Sequence, residues 1–159
     1  MTMNRITRAA LTTVLAIFTS QAHSETDLFS GVYRPAMPNQ TGSFAVEPIS
    51  QGKWNISSNE VEGEPFKPFP TTGAPPMVLA AHETIDRWFD ETSPHGKISC
   101  LAPEGSDRIA FSICHVPTDS SYQVRESISN KRESSATGYI FVTGTFAGVM
   151  TGDLVRSSQ

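Results

Sequence analysis

Cys100 and Cys114 are the only cysteines of the chain, and the second lies inside its most regular alternation. From Arg108 to Val116, Ile109, Phe111 and Ile113 share one parity while Ala110, Ser112 and Cys114 share the other. A period of two sends successive side chains to opposite faces, so this stretch is expected to be a strand with one buried face. Thirteen residues separate the cysteines, and closing a loop of that size would stabilise the fold by about 3 kcal/mol in chain-entropy terms. The spacing does not resemble the C-x-x-C motif of a redox-active pair.

Whether two thiols join depends on the compartment, and the first 24 residues speak to that. Arg5 and Arg8 form a positive start, Ala9 to Phe18 an uncharged apolar stretch, and Ala22-His23-Ser24 a small-residue cleavage site. This is the pattern of an export signal, with the mature chain expected to start at Glu25. The apolar stretch is about ten residues, half of what a bilayer-spanning helix needs. The expected location is the periplasm of a Gram-negative bacterium, or the medium beyond it, where Cys100 and Cys114 would form a disulfide.

Cleavage would leave 135 of the 159 residues, enough for one domain, residues 25–159, around a single hydrophobic core. Arg5 and Arg8 would depart without any acidic residue, leaving ten basic against sixteen acidic side chains. That sign argues against nucleic acid, which needs a basic face, and against anionic lipid surfaces. No transmembrane segment is expected in the mature chain.

Eleven glycines, eleven prolines and abundant Ser and Thr favour short strands joined by turns. Strands are expected at Leu28 to Tyr33, Phe44 to Val46 and Lys53 to Val61, and again around Tyr122, Val124 and Ile128. Pro65 to Pro76 (PFKPFPTTGAPP) reads as a connecting loop, since its prolines lack a backbone donor. Tyr139 to Thr143 and Thr145 to Leu154 read as a hairpin turning at Gly144, with Phe146, Gly148, Met150 and Gly152 on one face. The helical spacing of Met77, Ala81, Ile85, Trp88 and Phe89 suggests a helix over Met77 to Glu91. The alternative is a shorter helix from Ile85, capped by Thr84, with Met77 to Ala81 extended. Ser93-Pro94-His95-Gly96 would end either.

Motifs for chemistry are sparse. There is no G-x-S-x-G elbow, no S-x-x-K arrangement and no phosphate-binding glycine loop. His82, His95 and His115 lack metal-site spacing. Asp86 and Asp90 could pair carboxylates on one helix face, though a solvated face explains them equally. A hydrolase would need His82, Asp86 and a serine gathered in a cleft. The expectation is a non-enzymatic protein with no cofactor and no metal.

The order of the pieces resembles a family of small exported proteobacterial proteins, domain-of-unknown-function family three-six-one-seven. The matching stretches are Gly52-Lys53-Trp54-Asn55-Ile56, the acidic segment Glu83 to Thr92, Cys100, Ile109 to Cys114, and the close GYIFVTGTFAGVM from Gly138 to Met150. The chain departs from the pattern just before the helix, where many members carry a further cysteine and His82 or its neighbours stand here. The resemblance implies an envelope β fold and no assigned reaction.

The fold expected is mainly β: an antiparallel curved sheet or a partly closed, lipocalin-like barrel of seven or eight strands, with one short α-helix over an opening or edge. Such a sheet would bind a small apolar or lipid-like molecule, with Trp54, Phe66, Phe69, Trp88 and Phe146 as candidate ligand-binding residues. The competing expectation is a protein-binding module, an inhibitor or accessory factor of an envelope assembly, using loops or sheet edges.

Overall fold

The computed structural model describes residues 27–70, 72–106 and 108–157. The expected export signal and Glu25 lie outside the described residues. In chain order the strands are β1 (Gly31–Pro35), β2 (Ser43–Ser50), β3 (Lys53–Asn59), β4 (Lys67–Pro68), β5 (Met77–Leu79), β6 (Ser99–Pro103), β7 (Phe111–His115), β8 (Ser121–Tyr122), β9 (Glu133–Ser134), β10 (Tyr139–Thr145) and β11 (Gly148–Ser157). One helix, α1 (His82–Trp88), lies between β5 and β6, followed by a short 3₁₀ turn at His95–Lys97.

Eight strands close into a ring in which β1, β2, β3, β5, β6, β7, β10 and β11 follow one another in sequence order and β11 returns to β1. Every pairing in the ring is antiparallel. This is a closed up-and-down barrel, which removes the exposed edges an open sheet would carry. An eight-stranded ring has an interior just wide enough for side chains or one small ligand. Here side chains take it: Tyr33, Val46, Ile56, Met77, Leu101, Ile113, Phe141 and Leu154 alternate inward, and Phe29 enters from below.

A second core lies outside the ring. Cys100, Ala102, Cys114, Ile140, Val142 and Val149 face outward from β6, β7, β10 and β11, and Ile85, Trp88, Phe89, Tyr122 and Val124 cover them. The helix and the 117–138 segment therefore bury one outer side of the barrel, which is why these strands are apolar on both faces. Cys100 and Cys114 form a disulfide between directly paired positions of β6 and β7.

Several local expectations differ from what is observed. Of the two expectations for Met77 to Glu91 the one with Met77 extended holds: Met77 begins β5, because it pairs with Pro103 and Trp54 and turns its side chain into the barrel. The helix begins at His82, so Thr84 sits within it, and the position before it, Ala81, makes no side-chain cap. The hairpin turns at Phe146-Ala147 instead of Gly144, with Thr145 opposite Gly148. Gly144 is needed within β10, since a β-carbon there would lie 2.5 Å from the Ile109 carbonyl oxygen. Phe146 consequently stands at the tip and not on the face shared by Met150 and Gly152. Ile109 precedes β7 and packs against the outer core, while Phe111 and Ile113 point toward the inner one. Ser99–Pro103, unmarked by any alternation expected there, is a full barrel strand.

Candidate functional site

One end of the barrel is plugged. Tyr33 Oη donates to the Phe29 carbonyl at 2.6 Å, Tyr139 Oη to that of Leu28 at 2.8 Å, and Arg156 donates to the carbonyls of Asp27, Leu28 and Ser30. The guanidinium also lies 6.0 Å from the Tyr33 ring centre and 5.6 Å from that of Tyr139. Burial pushes the Tyr33 phenol well above its ordinary value, with Arg156 opposing. Burial would raise the Asp27 carboxyl too, but hydrogen bonds from Ser30, the Phe29 and Ser30 amides and Trp54 hold it below the usual range. His115 faces Tyr139 edge-on at 5.2 Å, and burial lowers its pKa.

The other end is split, and the sequence explains how. On the edge of β3 that faces β5, the ladder consists of one pair, Trp54 with Met77. Further along that edge β4 takes over, through Ser57 with Pro68 and Ser58 with Lys67, and the Phe69 amide donates to the Ile56 carbonyl. Pro68, Pro70, Pro75 and Pro76 have no N–H to offer a ladder, so the chain between β4 and β5 loops away from the wall. The result is a cleft of about 530 Å³ beside the split. Phe66, Pro68, Phe69, Pro70, Ala74 and Pro75 form its outer lip; Ile56, Met77, Pro103, Ala110 and Phe111 form its inner wall; Glu47, Asn55 and Ser57 supply polar groups.

Phe69 lines both this cleft and the barrel end. Its ring meets Phe44 at 5.4 Å and Phe111 at 4.8 Å, and those two meet each other at 4.8 Å, so three aromatics close the barrel end. A second, more polar depression of about 670 Å³ lies beyond it, lined by Asn39 to Phe44 and Ser58 to Glu60, and it shares Pro68, Phe69 and Pro70 with the first.

The structure brings together Phe66 and Phe69 of the five candidate residues, and separates the other three. Trp54 belongs to the barrel interior near the plug, its indole N–H 3.4 Å from Asp27 Oδ2 and its ring against Phe29. Trp88 is 3 % exposed in the outer core under α1. Phe146 is 107 % exposed at the hairpin tip. Phe111, Met77 and Pro103 were not singled out by sequence, because alternation says which face a residue takes and not which opening it meets. Neither family models, nor curated proteins, nor solved structures give a match to this chain.

His95 and Asp86, two of the residues considered for chemistry, bond to each other. His95 donates from Nδ1 to Asp86 Oδ1 and from Nε2 to the Asp90 carbonyl, both at 2.5 Å. With both ring nitrogens facing acceptors the imidazolium is the form that fits, and the Asp90 carbonyl together with the Asp86 carboxylate raises its pKa. The Asp90 side chain instead receives Thr92, Ser93 and Arg132. Ser93, nearly buried, accepts from the Gln123 amide. Asp86 therefore ties α1 to the turn at His95, Asp90 ties the helix exit to the 117–138 segment through Arg132, and each carboxylate is held by its own partners. Among the described residues no group of three His, Cys, Asp or Glu side chains is placed to hold a metal ion, and no helix is long and apolar enough to cross a membrane.

Proposed function

We propose that this is a non-enzymatic envelope protein that holds a small apolar or lipid-like ligand in the cleft beside the β3–β5 split. The observation that carries this reading is the concentration of Phe66, Phe69, Phe111, Met77 and proline rings around an opening of about 530 Å³. That is a size and lining typical of small-molecule sites, apolar walls with a few polar groups to fix orientation. The ligand sits beside the barrel and against Phe69 rather than along the barrel axis, where packed side chains leave it no place. A location outside the cytoplasm is part of the proposal, supported by the amino-terminal pattern and by the disulfide. So is membership of the family the sequence resembles.

Native mass spectrometry of protein purified from its own periplasm tests this reading. The expected result is a bound small molecule whose mass is lost from Phe69→Ala and Phe66→Ala. Protein that emerges free of any ligand, with Phe69→Ala indistinguishable from it, would count against the cleft.

A second reading, a protein-binding module, is favoured by one observation. Phe146 exposes its whole ring at the hairpin tip, a position that serves no packing purpose in the monomer. Closure leaves the eight barrel strands no free edge, so on the barrel a partner would be met by this tip. Crosslinked recovery from periplasm of one reproducible partner, abolished by Phe146→Ser, with no small molecule bound, would place this reading first.

A further inference from the structure

We propose a separate anion site, taking a phosphate monoester or inorganic phosphate, in the groove between α1 and the β10–β11 hairpin. Arg87, Arg108 and Arg125 all line this groove of about 450 Å³, over an apolar floor that includes Trp88, Ile109 and Val149. Glu126 is the one carboxylate among its described lining residues. Three guanidinium groups against one carboxylate leave a net double positive charge, the complement of a phosphate dianion. In a chain whose acids outnumber its bases, such a concentration of arginine is selective placement and not background.

No ion pair among the described residues accounts for it. The ion pairs among the described residues involve Arg34, Lys53, His95 and Arg132, and none involves these three arginines. Two of the three are held in place by the backbone around the helix. Arg125 donates from Nε to the Phe89 carbonyl at 2.9 Å, and its amide donates to the Trp88 carbonyl at 2.8 Å. Arg87 donates from Nε to the Glu83 carbonyl and from Nη2 to Thr84 Oγ1, each at 3.3 Å. Such anchoring fixes a planar fork and leaves terminal N–H groups for a ligand, which is how arginine recognises phosphate.

An independent observation points the same way. Trp88 Nε1–H is buried and has no hydrogen-bond partner among the described residues, although Trp88 itself contributes to the groove wall. A buried donor without an acceptor is unfavourable, and a ligand oxygen arriving in the groove would bring an acceptor to the wall that Trp88 forms. The site does not depend on the apolar cleft, yet the two are neighbours. Arg108 and Ile109 face the groove while the next residues, Ala110 and Phe111, face the cleft.

The chain's two tryptophans make the test direct. In ¹⁵N–¹H spectra of the disulfide-bonded protein, inorganic phosphate at constant ionic strength should move the Trp88 indole signal saturably and leave that of Trp54, at the plugged end, in place. Arg108→Gln, which removes a side chain with no hydrogen bond among the described residues, should weaken the apparent affinity about tenfold, as loss of a charge-assisted hydrogen bond does. Arg87→Gln provides a second variant and should do the same. Phosphatidic acid vesicles, whose headgroup is a phosphate monoester, that move the Trp88 signal where phosphatidylcholine vesicles and free phosphate do not would assign the oxyanion to a lipid headgroup, and response to free phosphate would assign it to a soluble ligand. A Trp88 signal that responds to neither, that moves together with Trp54, or that titrates in both variants as in the unaltered protein overturns the proposal.

Discussion

The ring of Phe141 on β10 occupies the space that a side chain at its cross-strand partner Gly152 on β11 would need, its Cε1 lying 2.6 Å from where that β-carbon would stand. Phe141 is packed in the barrel interior with Leu154 and Ile113, so it has no free direction in which to retreat. Gly152→Ala should therefore destabilise the protein by about 1–3 kcal/mol, the usual cost of forcing an extra methyl into a filled core. Urea denaturation measures this; a midpoint equal to that of the unaltered protein would mean the ring moves easily and the interior is less tightly filled than described.

Removing the disulfide should cost about 3 kcal/mol, since the bond closes a short loop in the unfolded chain and joins positions already paired in β6 and β7. The double variant Cys100→Ala, Cys114→Ala should fold to the same barrel with a lower denaturation midpoint. If its near-ultraviolet circular dichroism is lost together with the stability, the cross-link shapes the native state and does more than restrict the unfolded one.

His95 should make stability depend on pH in a direction opposite to His115. Folding raises the pKa of His95 through the Asp90 carbonyl and the Asp86 carboxylate, so its contribution is complete below the ordinary value of 6.5 and is lost as pH rises through the folded-state value. Hydrogen bonding from His95 holds Asp86 below its ordinary range, so the pair weakens at the acid end only once that carboxyl takes up a proton. His115 is lowered by burial and therefore disfavours the fold as pH falls. Comparing His95→Gln with the unaltered protein cancels the His115 effect. The gap in melting temperature should be widest near about pH 5.5 and narrow by about pH 8.5. A gap that does not change with pH would show that His95 contributes no charged interaction.

Arg156 should hold the plug. Its donors reach the carbonyls of Asp27, Leu28 and Ser30 and the Tyr139 hydroxyl, and hydrogen bonds from a charged group to partly buried acceptors are worth about 1.5–3 kcal/mol each before allowance for solvent. Arg156→Gln should leave the strands intact and raise hydrogen exchange at Phe29 and Ser30, with faster proteolysis ahead of β1. Unchanged exchange there would transfer the plugging role to the two tyrosine hydroxyls.

The alternation around Ile113, the hairpin composition after Tyr139 and the glycine and proline usage were enough to specify antiparallel β structure with one short helix, and the number of strands expected matches the eight that close. Local pattern misled where long-range pairing decided the outcome. Met77 has helical spacing to Ala81 and Ile85, yet its partners across the seam, Trp54 and Pro103, hold it extended. Gly144 has the composition of a turn, yet the Ile109 carbonyl requires it inside a strand. Phe66 and Phe69 could be picked out by their place in the proline-rich loop; Phe111 could not, since its meeting with Phe69 is a contact across the barrel.

What the sequence by itself determined is the period of its strands and the places where proline denies the ladder a donor, because both are properties of the backbone and of neighbours one or two residues away. Tertiary structure alone decided that the ring closes, that its interior is filled by Phe29, Tyr33 and Phe141, and that the opening lies beside Phe69. Those outcomes depend on which distant side chains compete for the same volume, and volume is shared among residues that the linear order keeps far apart.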